Sequence, residues 1–148
     1  NPLTGSNTVS IDWNVAGHSL AAAYVFQGAA GTSSAAHVGG IGSAAGAAPG
    51  GTPSATVTGT NASSIIIDNL VKATDVACDV GAGQTKVHEI VQTADQFGST
   101  EPGSGDITMS WTSCGSAAFA ITAVEIQSGA EPVVAVAPEI IPIIWWED

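Results

Sequence analysis

The chain has no arginine and only two lysines, Lys72 and Lys86, against thirteen aspartates and glutamates. At a formal net charge of -11 it has nothing with which to neutralise a row of phosphates, which excludes nucleic acid as a partner. The same balance argues against an anionic membrane surface. Long apolar runs are also missing. The apolar C-terminal stretch is broken by Pro132, Pro138, Pro142 and Glu139, well short of the ~20 residues that span a bilayer, so no membrane span is expected. Histidines 18, 37 and 88 stand far apart, with no cysteine at zinc-ligand spacing. No G-x-S-x-G context surrounds any serine, and the glycine-rich segment 39–51 lacks the Lys-Ser/Thr ending of a phosphate loop. No catalytic or metal residue is assigned, no enzyme is expected, and no cofactor is required.

What is present is apolar and small. Apolar residues make up 45% and charged residues 10% of 148 positions, enough for one domain with a core and too apolar for disorder, despite 18 glycines. An acidic, Ser/Thr/Gly/Ala-rich composition of this kind suits an extracellular or cell-surface protein, or a virion component. No signal peptide or initiator Met is visible at Asn1, so Asn1 is expected to be a product of processing or the first ordered residue of a longer precursor. Cys78 and Cys114 are the minimum for one disulfide, and in an exported β-protein they are expected to pair. The bridge would close a loop of about 36 residues, for which loop entropy gives on the order of 3–4 kcal/mol.

Alternation marks the strands. Residues 8–13 (TVSIDW) place Val9, Ile11 and Trp13 on one face, and 19–26 (SLAAAYVF) read as the antiparallel partner. Residues 28–53 have no period and read as a long surface excursion, with room for a short strand around 35–38. Strands are expected at 55–60, 63–71 and 85–93, with a short edge strand at 74–80. The three consecutive isoleucines 65–67 imply a strand covered on both faces. Residues 94–105, with Gly98, Pro102, Gly103 and Gly105, read as a second loop. Strand 106–112 points Ile107, Met109 and Trp111 inward, and 116–127 is the longest strand. Many short strands between Gly/Pro turns, with no helix, predict an all-β fold: a single antiparallel β-sandwich, jelly-roll or Ig-like, over residues 1–130.

Several segments carry a resemblance: NPLTGSNTVSIDW at the start, SIIID at 64–68, GAGQT at 81–85, GSTEPGSGDITMSWT at 98–112, and an Ala-rich strand ending AVEI at 123–126. Together they resemble a β-sandwich domain recurrent in secreted and phage-associated bacterial and archaeal proteins. The resemblance implies a fold and no activity. In that family further strands of the same domain precede the NPxTG strand, and this sequence carries none of them. A sandwich so shortened would expose a sheet edge and part of its core.

The apolar addition is the tail, 131–148 (EPVVAVAPEIIPIIWWED). Val133, Val134, Val136, Ile140, Ile141, Ile143, Ile144, Trp145 and Trp146 make it the densest run of large apolar side chains in the chain. Prolines exclude a helix, and β-branched residues with tryptophans favour an extended strand. Extended, fifteen residues reach roughly 50 Å at ~3.3 Å each. Burying nine such side chains would yield at most roughly 13–27 kcal/mol, and ordering the backbone costs a comparable amount, so the tail docks only on a preformed groove. An open groove and a spare strand predict strand complementation. The nine residues are accordingly the candidate subunit interface of a filament in which the chain is its own partner, a homopolymer.

The alternatives are a secreted carbohydrate-binding or adhesive module, with glycans as partners for the 28–53 loop and exposed aromatics, or a phage virion component. Asn61-Ala62-Ser63 is a glycosylation sequon in a turn. Calcium is the one ion the carboxylates could hold, at Asp75 with Asp79 or Glu101 with Asp106, although neither pair follows a calcium-loop pattern. The NPLTG opening also matches a sortase signal, but it lies at the wrong end of the chain for one.

Overall fold

A computed structural model of the chain describes residues 24–27, 38–46, 52–73, 75–92, 94–128 and 134–136. All the regular structure in these residues is strand. The ten strands, in chain order, are β1 (Val25–Gln27), β2 (Val38–Gly46), β3 (Ser54–Thr60), β4 (Ile65–Lys72), β5 (Asp79–Val80), β6 (Thr85–Ile90), β7 (Asp95–Pro102), β8 (Gly105–Thr112), β9 (Phe119–Ile126) and β10 (Val134–Val136). They form a five-stranded sheet in the order β2-β9-β4-β7-β6, a three-stranded sheet in the order β3-β8-β5, and a separate β1-β10 ladder. Every pairing is antiparallel. The expected all-β sandwich is the fold.

The core lies between the two main sheets. Alternation along β8 sends Ile107, Met109 and Trp111 inward, as read from the sequence, where they meet Ile66 and Leu70 of β4, Phe97 of β7 and Ile121 and Ala123 of β9. Phe97 and Trp111 pack tilted, ring centroids 5.5 Å apart. Cys78 and Cys114 are bonded to each other across 36 positions, with Cα atoms 4.5 Å apart. Cys114 is carried on a tight turn whose flanking residues, Ser113 (φ 57°) and Gly115 (φ 67°), are both left-handed.

Two loop expectations are corrected. Residues 38–46, assigned to the long excursion, are the nine-residue strand β2 at the edge of the five-stranded sheet. Its glycines hid it and are also the reason it fits: a Cβ on Gly42 would collide with the Thr56 backbone, and one on Gly40 with Val57. Here the two sheets approach backbone to backbone, which only glycine allows. Residues 95–102, read as a loop, are β7, the strand between β4 and β6, with Asp95 to Thr100 all buried. The expected edge strand at 74–80 is shorter, with β5 spanning two residues directly after Cys78. The predicted strand 8–13 and most of its predicted partner lie outside the described residues; β1, at the end of that partner, pairs with β10.

Candidate functional site

The five-stranded sheet has two unlike faces. Its inner face carries buried ionisable groups in register. Lys72 on β4 stands directly opposite Asp95 on β7, with Nζ 3.0 Å from Oδ2 and side chains 1% and 0% exposed. Asp95 also accepts from the Val76 and Gln92 backbone N–H groups, so the carboxylate that pairs with Lys72 is hydrogen-bonded on both oxygens. Four positions along, Asp68 faces Ser99 and accepts from its backbone N–H (2.6 Å) and Oγ (2.9 Å), while Trp111 Nε1 of the opposite sheet donates to its other oxygen at 2.6 Å. Burial pushes the Asp68 carboxyl up to about 6, with the Trp111 and Ser99 hydrogen bonds pulling the other way. Glu125 of β9 is buried too. Burial would raise its pKa, but donors from Asn61, Ser64, Gly40 and Gln127 outweigh it and hold the group below the usual carboxylate range. Asp68 could hold and release a proton near neutrality, but it is 1% exposed, so no substrate reaches it. Asp68 ties the two sheets together through Trp111, while Lys72–Asp95 and Glu125 hold strands of the larger sheet to one another and to the 61–64 turn.

The outer face is organised in cross-strand rows. Val38, Ile126 and Ile65 form one row across β2, β9 and β4; Ile41, Val124 and Ile67 form the next. A polar row of Ser43, Thr122 and Asn69 follows, then Ala45, Ala120 and Val71. Ile41 is 65% exposed, Val38 41% and Val71 39%. Two adjacent rows of β-branched side chains therefore lie at one end of this face, exposed at Val38 and Ile41 on the edge strand, half-buried at Ile126, Val124 and Ile67, and buried at Ile65, which is 8% exposed. Toward β7 and β6 the same face is covered. Tyr24, immediately before β1, hydrogen-bonds through its hydroxyl to Nδ1 of His88 on β6, with both side chains over Gly98. Burial lowers the His88 pKa and raises that of Tyr24, to which the Asp68 charge adds. His88 Nε2 and the side-chain oxygen of the neighbouring Gln96 are buried with no hydrogen-bond partner among the described residues, while Gln96 Nε2 donates to Asn69 at 2.9 Å.

The outer face of the three-stranded sheet is hydroxyl-rich. Thr56, Thr58, Thr108 and Thr112 are exposed on it, and the Thr56 and Thr108 hydroxyls bond across the ladder at 2.8 Å. Beside the disulfide lies a shallow depression of about 220 Å³ lined by Thr52, Pro53, Trp111 and Cys114, too open and flat to enclose a small molecule.

The sequence-stated sites fall as follows. The disulfide is formed. Of the nine tail residues, Val134 and Val136 belong to β10; Val133, Ile140, Ile141, Ile143, Ile144, Trp145 and Trp146 lie outside the described residues. Asn61 is exposed at the 61–64 turn, so the sequon is open to modification. His18 and His37 also lie outside the described residues. Among those described, no group of three or more His, Cys, Asp and Glu is placed to hold a metal ion. Of the calcium candidates, Asp106 instead accepts from the Gly59 N–H at 2.9 Å. The apolar rows escaped the sequence reading because they depend on β2, whose register cannot be seen without the fold. The one sequence signal was the Ile65–Ile67 run, read as covered on both faces; Ile66 in the core and Ile65 on the outer face are both buried, and Ile67 on the outer face is half-buried.

No protein-family model matches the chain, and neither a curated protein nor a solved structure is detectably similar to it.

Proposed function

We propose that the protein is a non-enzymatic structural subunit of an extracellular, pilus-like polymer, assembled by exchange of its C-terminal strand between identical sandwiches. The observation that carries this reading is β10. The tail segment Val134–Val136 is already a strand, and it pairs with β1 rather than extending either main sheet. A ladder of three residue pairs on its own is marginal in water. A marginal ladder closed within one chain can form with identical geometry between two, and a head-to-tail exchange of this kind does not close on itself. The apolar outer face supports the same reading, since patches of exposed β-branched residues mark surfaces that are covered in the working assembly. The same mechanism would serve a virion component. The glycan-binding alternative relied on an excursion of which β2 now takes nine residues.

Deleting residues 132–148 tests the proposal. The truncated chain should keep the β-sandwich circular dichroism signature and lose the ability to form polymers seen by negative-stain microscopy. Polymers unchanged by the deletion would rule out strand exchange through the tail.

A further inference from the structure

We infer that the two apolar rows Val38–Ile126–Ile65 and Ile41–Val124–Ile67 are the seat for residues 140–146 of a second copy of the chain. The inference rests on the strand-exchange reading and adds to it the surface that receives the donor. The rows are contiguous and contain no polar side chain, and the Ser43–Thr122–Asn69 row ends them on one side. Three strands spaced at ~4.8 Å, with their side chains, make a patch about 15 Å across, the length of four or five extended residues at ~3.3 Å each. An occupant must therefore be short, extended, apolar and uncharged along its contact.

Beyond β10 the tail has that chemistry, and more bulk than any other apolar stretch of the chain: Ile140, Ile141, Ile143, Ile144, Trp145 and Trp146, interrupted only by Pro142 and bounded by Glu139 and Glu147. Pro142 has no N–H to leave unsatisfied, which suits a strand laid on a sheet face rather than paired along an edge. The acids at either end bound the apolar segment, of which four or five residues fill the patch, since neither acid can follow the isoleucines onto an apolar surface. The donor is assigned to a second copy because strand exchange passes the tail to a neighbour, and the β2 end of the rows has area left to cover, with Ile41 65% exposed and Val38 41% exposed. Geometry allows the transfer. Once β10 has paired with β1 of a neighbour, Tyr24 fixes that ladder to the neighbour's Gly98 and His88 on the same outer face, beside β4 in the β4-β7-β6 order. From β7 to β2 is three strand spacings, ~14 Å, within reach of the ten residues after β10.

Cysteine pairing tests it. The two native cysteines are bonded to each other, so an added cysteine is the only free thiol among the described residues. Full-length Ile41→Cys and Ile144→Cys chains are mixed, assembled and oxidised. The expected product is a cross-linked heterodimer on a non-reducing gel, absent when the same mixture is oxidised without assembly. Intact polymers without the heterodimer would overturn the seat and leave strand exchange standing. An intrachain link in the monomeric Ile41→Cys/Ile144→Cys double variant would overturn the second-copy assignment. A wild-type chain that never polymerises would remove strand exchange and the seat together. As a second measure, Ile41→Asp should reduce polymer mass at least tenfold while Thr108→Asp on the opposite sheet leaves it unchanged; equal effects would likewise overturn the seat.

Discussion

The two sheets share an apolar core, to which the five-stranded sheet adds buried ionisable groups, and they turn different chemistry outward. The three-stranded sheet presents threonines that bond to one another and to water, as expected of a surface that stays wet. The five-stranded sheet presents isoleucine and valine at one end and, at the other, polar groups shut away beneath Tyr24. An antiparallel sheet with one dry and one wet face is the ordinary case; here the outer face has apolar rows at one end beside an exposed Ser43–Thr122 pair, so that end alone is suited to a third layer. The larger sheet is also the better anchored, through Lys72–Asp95 and three strands flanked on both sides, whereas the smaller one ends in the two-residue β5 and relies on the disulfide.

That contrast can be broken at four points. The largest effect should come from the disulfide. Replacing Cys78 and Cys114 with alanine is expected to cost about 3–4 kcal/mol in denaturant melts, with amide exchange accelerating in β3 and β8 before β4, β7 and β9. Uniform acceleration would mean that the smaller sheet has no special dependence on the bridge.

The next is Asp68, which ties the sheets together through Trp111. Its folded pKa is raised to about 6, so the stability it contributes is fully present below about pH 4 and lost as pH rises through about 6. The stability of wild type relative to Asp68→Asn should therefore grow by roughly 2–3 kcal/mol between about pH 7.5 and about pH 4. Taking the difference between the two proteins cancels His88. Its lowered pKa gives the opposite trend, with stability present above the unfolded value and lost on acidification.

Removing the Tyr24 hydroxyl comes third. Tyr24→Phe should cost about 1 kcal/mol, the usual worth of a hydrogen bond, and should speed amide exchange in β1 while sparing β8. The smallest effect on folding belongs to the exposed outer positions, where Ile41→Asp and Thr108→Asp should each change the melt by no more than about 0.5 kcal/mol. Equal folding with unequal assembly would isolate the difference between the outer faces from everything inside.

Where apolar alternation is clean the sequence was enough: β4, β8 and β9 lie within two or three residues of their expected places, and Trp111 points where the pattern put it. It failed where other physics decides. β7 (DQFGSTEP) carries Asp95, Gln96, Ser99 and Thr100 in buried positions. Buried polar groups look like loop residues until their partners are known, and Lys72, Asp68 and Asn69 come from β4, some 23–31 positions away. Gly98, taken as a turn signal, leaves room for the Tyr24 hydroxyl and the His88 ring. β2 failed for a related reason, its glycines answering to a backbone on another sheet. The apolar seat then followed β2 out of sight, because a patch made of rows across three strands has no signature along any one of them.

The lysines carry one more consequence. Lys72 is sealed in the core against Asp95, and Lys86 holds the Cys78 carbonyl at 2.5 Å and Glu89 at 3.0 Å. With no arginine in the chain, the positive charge is committed to architecture and the rest of the charged surface is acidic. Polymers of such a subunit would behave as like-charged rods. Their spacing would follow the Debye length, about 10 Å at 0.1 M salt and shorter as salt rises, so ionic strength would gather filaments into bundles without altering a single contact within them.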